Sequence, residues 1–500
     1  MTEDGAEDGG EEGAADGEGV VRRDRFSGGP ARAFLSSLAD DERIFVADLA
    51  VDRAHVVMLA EQGVIDAEDA GAILEALAAV ETAGHAALPD GEDVHEAVET
   101  AVVDRVGPAG GRMHTARSRN DEVAACIRYQ LREDLLGALA TLVEAREQLL
   151  VTAAGHTDTV MPGYTHLQPA QPTTVAHWLC SYEGALSRDT ARLVDAYDRT
   201  NRSPLGAAAF AGTSFDVDRE RVAALLGFDG LVENATDAVS ARDFLVETTA
   251  GMAGLATTLS GLAEDLVTMA SKGHVGLDDD YASTSSIMPQ KKNPDTLELV
   301  RGRTGDAVSG LQGLLTTLKG LPRAYNRDLQ RAGQHAWEAV DSTTESLEVA
   351  VGAVVTAEWP ADTLEEAAGE GFATATGVAD LLAQSGVPFR TAHEVVARAT
   401  AGMAADEAVP DTDALDAAGV AVMDEPVTAR VDHEALAAAL DPAANVAMRD
   451  SRGGPAPEAV EAHLERAQEG LDGDRKTLRR RRERVETASE QLRTAVAAYV

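Results

Sequence analysis

Apolar residues recur at intervals of three and four along several stretches of this chain. Ile127, Leu131, Leu135, Ala138, Leu142, Ala145 and Leu149 form one stripe; Met252, Leu255, Leu259, Leu262, Leu266 and Met269 form a second with heptad spacing. Val308, Leu311, Leu315 and Leu318 repeat the pattern on a third segment, and a fourth predicted helix starts near Thr173 and runs to about Asn201. A helix of about 30 residues is ~45 Å long, so each stripe needs cover along that whole length. A bundle of long helices supplies it most simply, and so long and narrow a unit is expected to complete its core with other copies of the chain. Residues 21–116 read instead as short helices broken by loops, and Trp359–Pro360 marks an exit into a third unit of shorter helices. The predicted fold class is all-α: a three-domain subunit with a central long-helix bundle. Its parts are an acidic tail, 1–20; an N-terminal helical domain, 21–116; the bundle, 117–358, expected to hold the oligomer contacts and the functional site; and a C-terminal helical domain, 359–500.

The length of 500 residues suits such a division at ~150 residues per unit. Charge adds more. Against 43 basic residues stand 85 acidic ones, a formal net charge of −42. Nucleic acid and anionic membranes would be repelled, so neither is a predicted partner. Dense carboxylates with only five lysines instead suit a surface hydrated in concentrated salt, as in the cytosol of a halophile. Cys126 and Cys180 lie far apart on predicted helices and offer neither a disulfide framework nor metal-ligand spacing. The first twenty residues are acidic and glycine-rich, with no basic or apolar segment, which predicts a disordered tail and not a signal peptide. No apolar run reaches the ~18 residues of a membrane helix, so the protein reads as soluble and cytoplasmic. Arg475–Arg484, "RKTLRRRRER", is the one strongly basic run and is expected to pair with carboxylates along a helix.

Candidate chemistry lies between the stripes. Residues 283–294, "STSSIMPQKKNP", combine hydroxyls with two of the five lysines and read as a mobile loop. Asn293 as N-cap, Pro294 at the first helical position and Asp295 in the first turn predict a helix immediately after it. The loop is thus delivered to a helix N-terminus, where the backbone dipole and two ammonium groups favour an anion. A serine acts as a base only if its alkoxide is stabilised, and these are the groups that would do so; taken alone, the stretch reads equally as a solvated polar loop. "GRMHTARSRND" (111–121) gathers Arg112, Arg117 and Arg119 ahead of the first long helix, with Ser118 and Asp121 spaced as a capping box; alone it is a helix entry with solvated arginines. "PGYTHLQPAQP" (162–172) holds Thr165 and His166 between prolines, and "AYNRDLQ" (324–330) clusters a phenol, amides and charges beyond a bundle helix.

Together these strings resemble one family. "SSIMPQKKNPD" is similar to the signature loop of the fumarase/aspartase superfamily, and its "QKKNPD" ending resembles the argininosuccinate lyase branch. "HTARSRND", "GYTHLQPAQP", "AGTSFDVDRE", "SARDF" and "YNRDLQ" resemble that branch in order and spacing, from about Arg25 to the end. The resemblance implies a fumarase/aspartase-like homotetramer whose active sites are each assembled from three subunits. It also implies reversible cleavage of argininosuccinate to arginine and fumarate without a cofactor or metal. Carried over by position, Ser285 is the general base, Lys291 stabilises the aci-carboxylate, His166 relays or donates a proton to the departing nitrogen, and Glu298 is its carboxylate partner. Ser37, Asn120, Thr165, Asn293, Tyr325 and Gln330 match substrate-binding positions. Three positions depart from the pattern: Thr284 where glycine is usual, Gly333 where a lysine is usual, and alanines in "PLGAAAFAG" (204–212) where serine and glycine are usual. A sister lyase such as one for adenylosuccinate, and a non-catalytic crystallin-like relative, are the competing readings; the lysine pair speaks against the first and the intact Ser285, His166, Lys291 and Glu298 set against the second.

Overall fold

The computed structural model describes residues 30–401 and 409–500; the expected acidic tail, 1–20, lies outside the described residues. Helices of thirteen or more residues are labelled in chain order. Three of them, α1 (Phe45–Glu61), α2 (Ala67–Ala83) and α3 (Val94–Val106), precede the bundle. The bundle itself is α4 (Arg119–Ala154), α5 (Val175–Thr200), α6 (Asp243–Ser271), α7 (Asp295–Leu318) and α8 (Ala332–Val355). The last, α9 (Pro457–Ala497), follows a series of short helices. The class is all-α, with two small two-stranded ribbons. No described helix is long and apolar enough to cross a membrane.

Two of the predicted stripes form the bundle core. Leu131, Leu135, Leu142 and Leu149 of α4 are fully buried against Met252, Leu255, Leu259, Leu262 and Leu266 of α6 and the neighbouring helices. The third stripe joins it only in part. Val308 and Leu315 on α7 are each 49 % exposed, Leu311 and Leu318 are half-buried against the edge of the core, and Leu297, Val300, Ala307 and Leu314 face the bundle fully. Helix α7 therefore carries a second, partly exposed apolar face beside the buried one. At Gly310 an added Cβ would stand 2.8 Å from the His335 carbonyl oxygen, so this glycine sets the close approach of α7 and α8.

A second core joins α1–α3 with the 205–228 segment and with Leu492 near the end of α9. A third is built from residues 372–440. Helix α9 follows that unit in the chain and runs back along α4 and α5 to reach α1. Its basic run is paired as expected: Arg475 with Glu147, Arg481 with Asp198 (2.6 Å) and Arg484 with Asp229.

The "PGYTHLQPAQP" stretch, read as a proline-stiffened loop, is an antiparallel hairpin of β1 (Val160–Thr165) and β2 (Gln168–Thr174). Thr165 pairs with Gln168, leaving His166 and Leu167 as a two-residue turn at φ +55° and +59°, the left-handed pair that matches strand twist. Paired Pro162 and Pro172 lack N–H donors, and the ladder bulges beside them, which an isolated two-stranded ribbon tolerates. The "STSSIMPQKKNP" stretch is likewise a ribbon and not an open loop. Its strands are β3 (Ser283–Thr284) and β4 (Lys292–Asn293). The Ser285 N–H closes it by donating to the Lys291 carbonyl at 3.1 Å. Helix α7 starts one residue later than predicted: Pro294 occupies the cap position, and the Asn293 side chain does not cap because Asn293 is held in β4.

Candidate active site

A cavity of ≈ 670 Å³ opens where the chain before α1, the first turn of α4 and the segment between α7 and α8 converge. It brings together four predicted substrate-binding residues: Ser37, Asn120, Tyr325 and Gln330. Local bonding fixes Ser37, Asn120 and Gln330. The Ser37 N–H donates to the Glu92 carbonyl (2.8 Å), and its hydroxyl to Asp41 (2.8 Å), which also accepts from the Val94 N–H (3.2 Å). Asn120 sits in the first turn of α4, which opens with the predicted capping box between Ser118 and Asp121. The other Asp121 oxygen accepts from the N–H groups of Gly206 (3.1 Å) and Ala208 (2.8 Å), and Asn120 donates to the Ala209 carbonyl at 2.9 Å. The alanine-rich 204–212 segment is thereby fastened beside Asn120. Gln330 lies on a 3-10 turn (Arg327–Arg331) and donates to the Leu35 carbonyl at 3.1 Å. Burial raises the Tyr325 phenol pKa, so the phenol stays a neutral donor. Gly333 lines the same wall, with Arg331 at its exposed rim.

Behind this wall lies a buried charge network that the sequence reading missed. His95 contacts Asp48 at 2.6 Å and Glu122 at 3.8 Å; Arg117 contacts Asp52 at 2.6 Å and Glu122 at 2.8 Å. All five side chains are at most 4 % exposed. Arg117, read as a solvated arginine, is therefore a buried counter-ion. Burial alone would lower the His95 pKa, but Asp48 and Glu122 raise it well above the ordinary value. Burial raises Asp52 to about 6 despite Arg117. Asp48, His95 and Cys126 also bring donor atoms within 4.8 Å of one another, yet a protonated imidazole is no ligand and Asp48 already serves it. One signal in the sequence could have exposed the network: Asp48 and Asp52 stand one helical turn apart inside a largely apolar α1, and buried carboxylates demand partners.

The remaining six predicted residues lie outside the cavity. Thr165 and His166 are exposed at the tip of the β1–β2 hairpin. Its strands pack on α5 and on short helices of the C-terminal part (Ala361–Gly369 and Pro442–Ala447). Ser285, Lys291 and Asn293 belong to the β3–β4 ribbon, and Glu298 is exposed near the start of α7. The ribbon has chemically useful detail. The Ser285 Oγ accepts from the Met288 N–H at 3.1 Å and from the Ile287 N–H at 3.4 Å, donors that would stabilise an alkoxide there. The lysine pair divides: Lys292 is tied to Asp279 (2.7 Å) and to the Leu277 carbonyl, whereas Lys291 is exposed and carries no ion pair among the described residues. Thr284, the departure from glycine, is extended opposite Lys292, where a β-branched residue fits. Within one chain the ten residues thus fall into a cavity, a hairpin tip and a ribbon with its helix start.

Sequence comparison agrees with these motifs. Residues 32–309 match the family model described as "Lyase", and residues 372–447 match "Argininosuccinate lyase C-terminal". The chain is 71 % identical to the argininosuccinate lyase of Haloarcula marismortui, covering 97 % of both chains. It is 46 % identical to that of Methanosarcina acetivorans, over 96 % of this chain and 99 % of the relative. Among solved structures, EDDS lyase in complex with formate superposes with a TM-score of 0.84 at 32 % identity, covering 94 % of this chain and 96 % of that one. Class II fumarase from Schistosoma mansoni shares the fold with a TM-score of 0.66 at 15 % identity, over 80 % and 90 % of the two chains. The chain belongs to the argininosuccinate lyase family of the fumarase/aspartase superfamily.

Proposed function

We propose that this protein catalyses the reversible β-elimination of argininosuccinate to L-arginine and fumarate, the last step of arginine biosynthesis, in the cytoplasm and without a cofactor. Ser285 takes a proton from the succinyl carbon next to a carboxylate. The resulting aci-carboxylate is met by Lys291 and the N-terminal end of α7, while Asn293 and Thr165 hold succinyl carboxylates. His166, oriented by Glu298, delivers a proton to the guanidinium nitrogen as the C–N bond breaks, because so basic a leaving group departs only when protonated. Ser37, Asn120, Tyr325 and Gln330 bind the substrate in the cavity.

The observation that carries this reading is the Ser285 hydroxyl. It accepts two backbone N–H groups at 3.1 and 3.4 Å on a ribbon that also presents the exposed Lys291. Because hairpin tip, ribbon and cavity are separate in one chain, we further propose a homotetramer in which each site takes these parts from three subunits.

Fumarate absorbance, followed in molar salt with argininosuccinate, adenylosuccinate, malate and aspartate offered separately, tests the reaction. Turnover of argininosuccinate alone is expected; turnover of adenylosuccinate alone would overturn the substrate, and silence with all four the enzyme. Ser285→Ala is expected to bind substrate normally with nearly all turnover gone; retention of more than about a tenth of the rate, only ~1.4 kcal/mol of barrier, would remove Ser285 as the base. Co-refolding Ser285→Ala with His166→Asn is expected to restore activity above either parent, since mixed assemblies then contain some sites with both residues intact. Absence of any recovery would argue against shared sites.

A further inference from the structure

Arg242 lines the cavity and has no part in the reaction as written above. It stands immediately before α6 and is 2 % exposed. One Nη donates to the carbonyls of Ala241 (2.9 Å) and Val239 (3.3 Å), closing the short helix Ala235–Ser240, while the buried Nε has no partner. No carboxylate of the described residues forms an ion pair with it. Burial presses its pKa down to about 10, and neighbouring Arg128, also buried, is pressed to about 9. Arg119, Arg327 and His95 on the same wall are each paired within the chain. Arg119 reaches Asp93 (3.2 Å) and Glu96 (3.6 Å), Arg327 reaches Glu92, and His95 reaches Asp48. A guanidinium taken out of water without an anion is unfavourable, and a bound carboxylate placed against it relieves that condition.

The rest of the cavity says which carboxylate. Its lining also carries Asp40, Asp41 and Asp93, carboxylates that suit an ammonium group. The free end of the arginine half of argininosuccinate carries an ammonium and a carboxylate on one carbon. On the proposed reading, on which this inference rests, the two succinyl carboxylates are taken by the ribbon and hairpin, so the third remains to be held. Tyr325 lines the same cavity as Arg242 and lies within electrostatic range of it. We propose that Arg242, with the Tyr325 hydroxyl, binds the α-carboxylate of the arginine half and so selects α-amino acids over decarboxylated guanidines.

The test is calorimetric binding of L-arginine and of agmatine, which is arginine without its carboxylate, to the whole protein in molar potassium chloride. Fumarate KM in the reverse direction is read alongside. The unaltered protein is expected to prefer arginine by about 10–100-fold, the range of a charge-assisted hydrogen-bond pair. Arg242→Gln is expected to bring arginine down to the level of agmatine while agmatine affinity and fumarate KM stay within about twofold. A parallel fall of both affinities with the preference intact would make Arg242 a wall residue only and overturn the proposal; so would an unaltered protein that binds both ligands equally. An unaltered protein that binds neither and leaves argininosuccinate unturned would instead overturn the underlying reaction. Should Arg242→Gln fail to fold, Arg242→Lys carries the test: a point charge replacing the fork is expected to cut the preference at least about threefold, and an undiminished preference sinks the idea.

Discussion

His95 owes its charge to its neighbours: burial alone would strip its proton, and Asp48 and Glu122 hold it. Arg117 is charged by its nature, and Asp52 and Glu122 make that charge tolerable in the interior. The raised His95 pKa has a signed consequence. Above about pH 6.5 the folded state holds a proton that the unfolded chain releases, so stability present at lower pH is lost as pH rises toward the folded value, at up to ~1.4 kcal/mol per unit. His95→Gln is expected to flatten the fall in stability that begins above about pH 6.5, measured by chemical denaturation in molar salt; an unchanged slope would remove His95 from that role. Arg117→Met strands Asp52 and Glu122 without their cation and is expected to cost about 3–5 kcal/mol. A loss under 1 kcal/mol in the same denaturation series, taking ~1 kcal/mol as an ordinary substitution, would mean the network rearranges around the gap.

Among the elements, α7 bears the most on assembly. Its inward face packs on α6 and α8 at the close contact made by Gly310, while Val308 and Leu315 stay half exposed on its outer face. Gly310→Ala pushes a methyl group against the His335 carbonyl and is expected to lower stability by about 1–3 kcal/mol through overpacking. Val308→Asp with Leu315→Asp leaves the inner face untouched. If the outer face is where copies of the chain meet, light scattering will show the double variant as a smaller assembly with unchanged helical content; an intact assembly would place the contact elsewhere. The β1–β2 hairpin has a complementary form. Its base is packed and its two-residue turn sends His166 and Leu167 into solvent, with Leu167 70 % exposed.

For the molecule as a whole, charge is the dominant fact. With a net −42, like copies repel unless counter-ions screen them, and the screening length grows from about 3 Å at 1 M salt to 30 Å at 0.01 M. Dilution from molar salt is therefore expected to shrink the assembly in light scattering before helical content is lost; an assembly unchanged at low salt would show its contacts to be insensitive to this repulsion. The scarce cations are placed where they matter within a chain. Arg475, Arg481 and Arg484 bind α9 to Glu147 and Asp198 of the bundle and to Asp229, so low salt is expected to loosen contacts between copies before it frees α9.

Residue order was enough to specify the helical class, the α4 and α6 seams, the α4 capping box and the family, because periodicity, capping and motifs are local: they depend on residues within a few turns of one another. It also marked Ser37, Asn120, Tyr325 and Gln330, whose meeting in one cavity follows from the family pattern. Tertiary structure alone decided which face of α7 is buried, that two supposed loops are ribbons, that α9 returns to the bundle, and that Asp48, Asp52, His95, Arg117 and Glu122 share one buried cluster. Those outcomes depend on groups far apart in the chain competing for the same space and charge, and such competition leaves no trace in the spacing of any single segment.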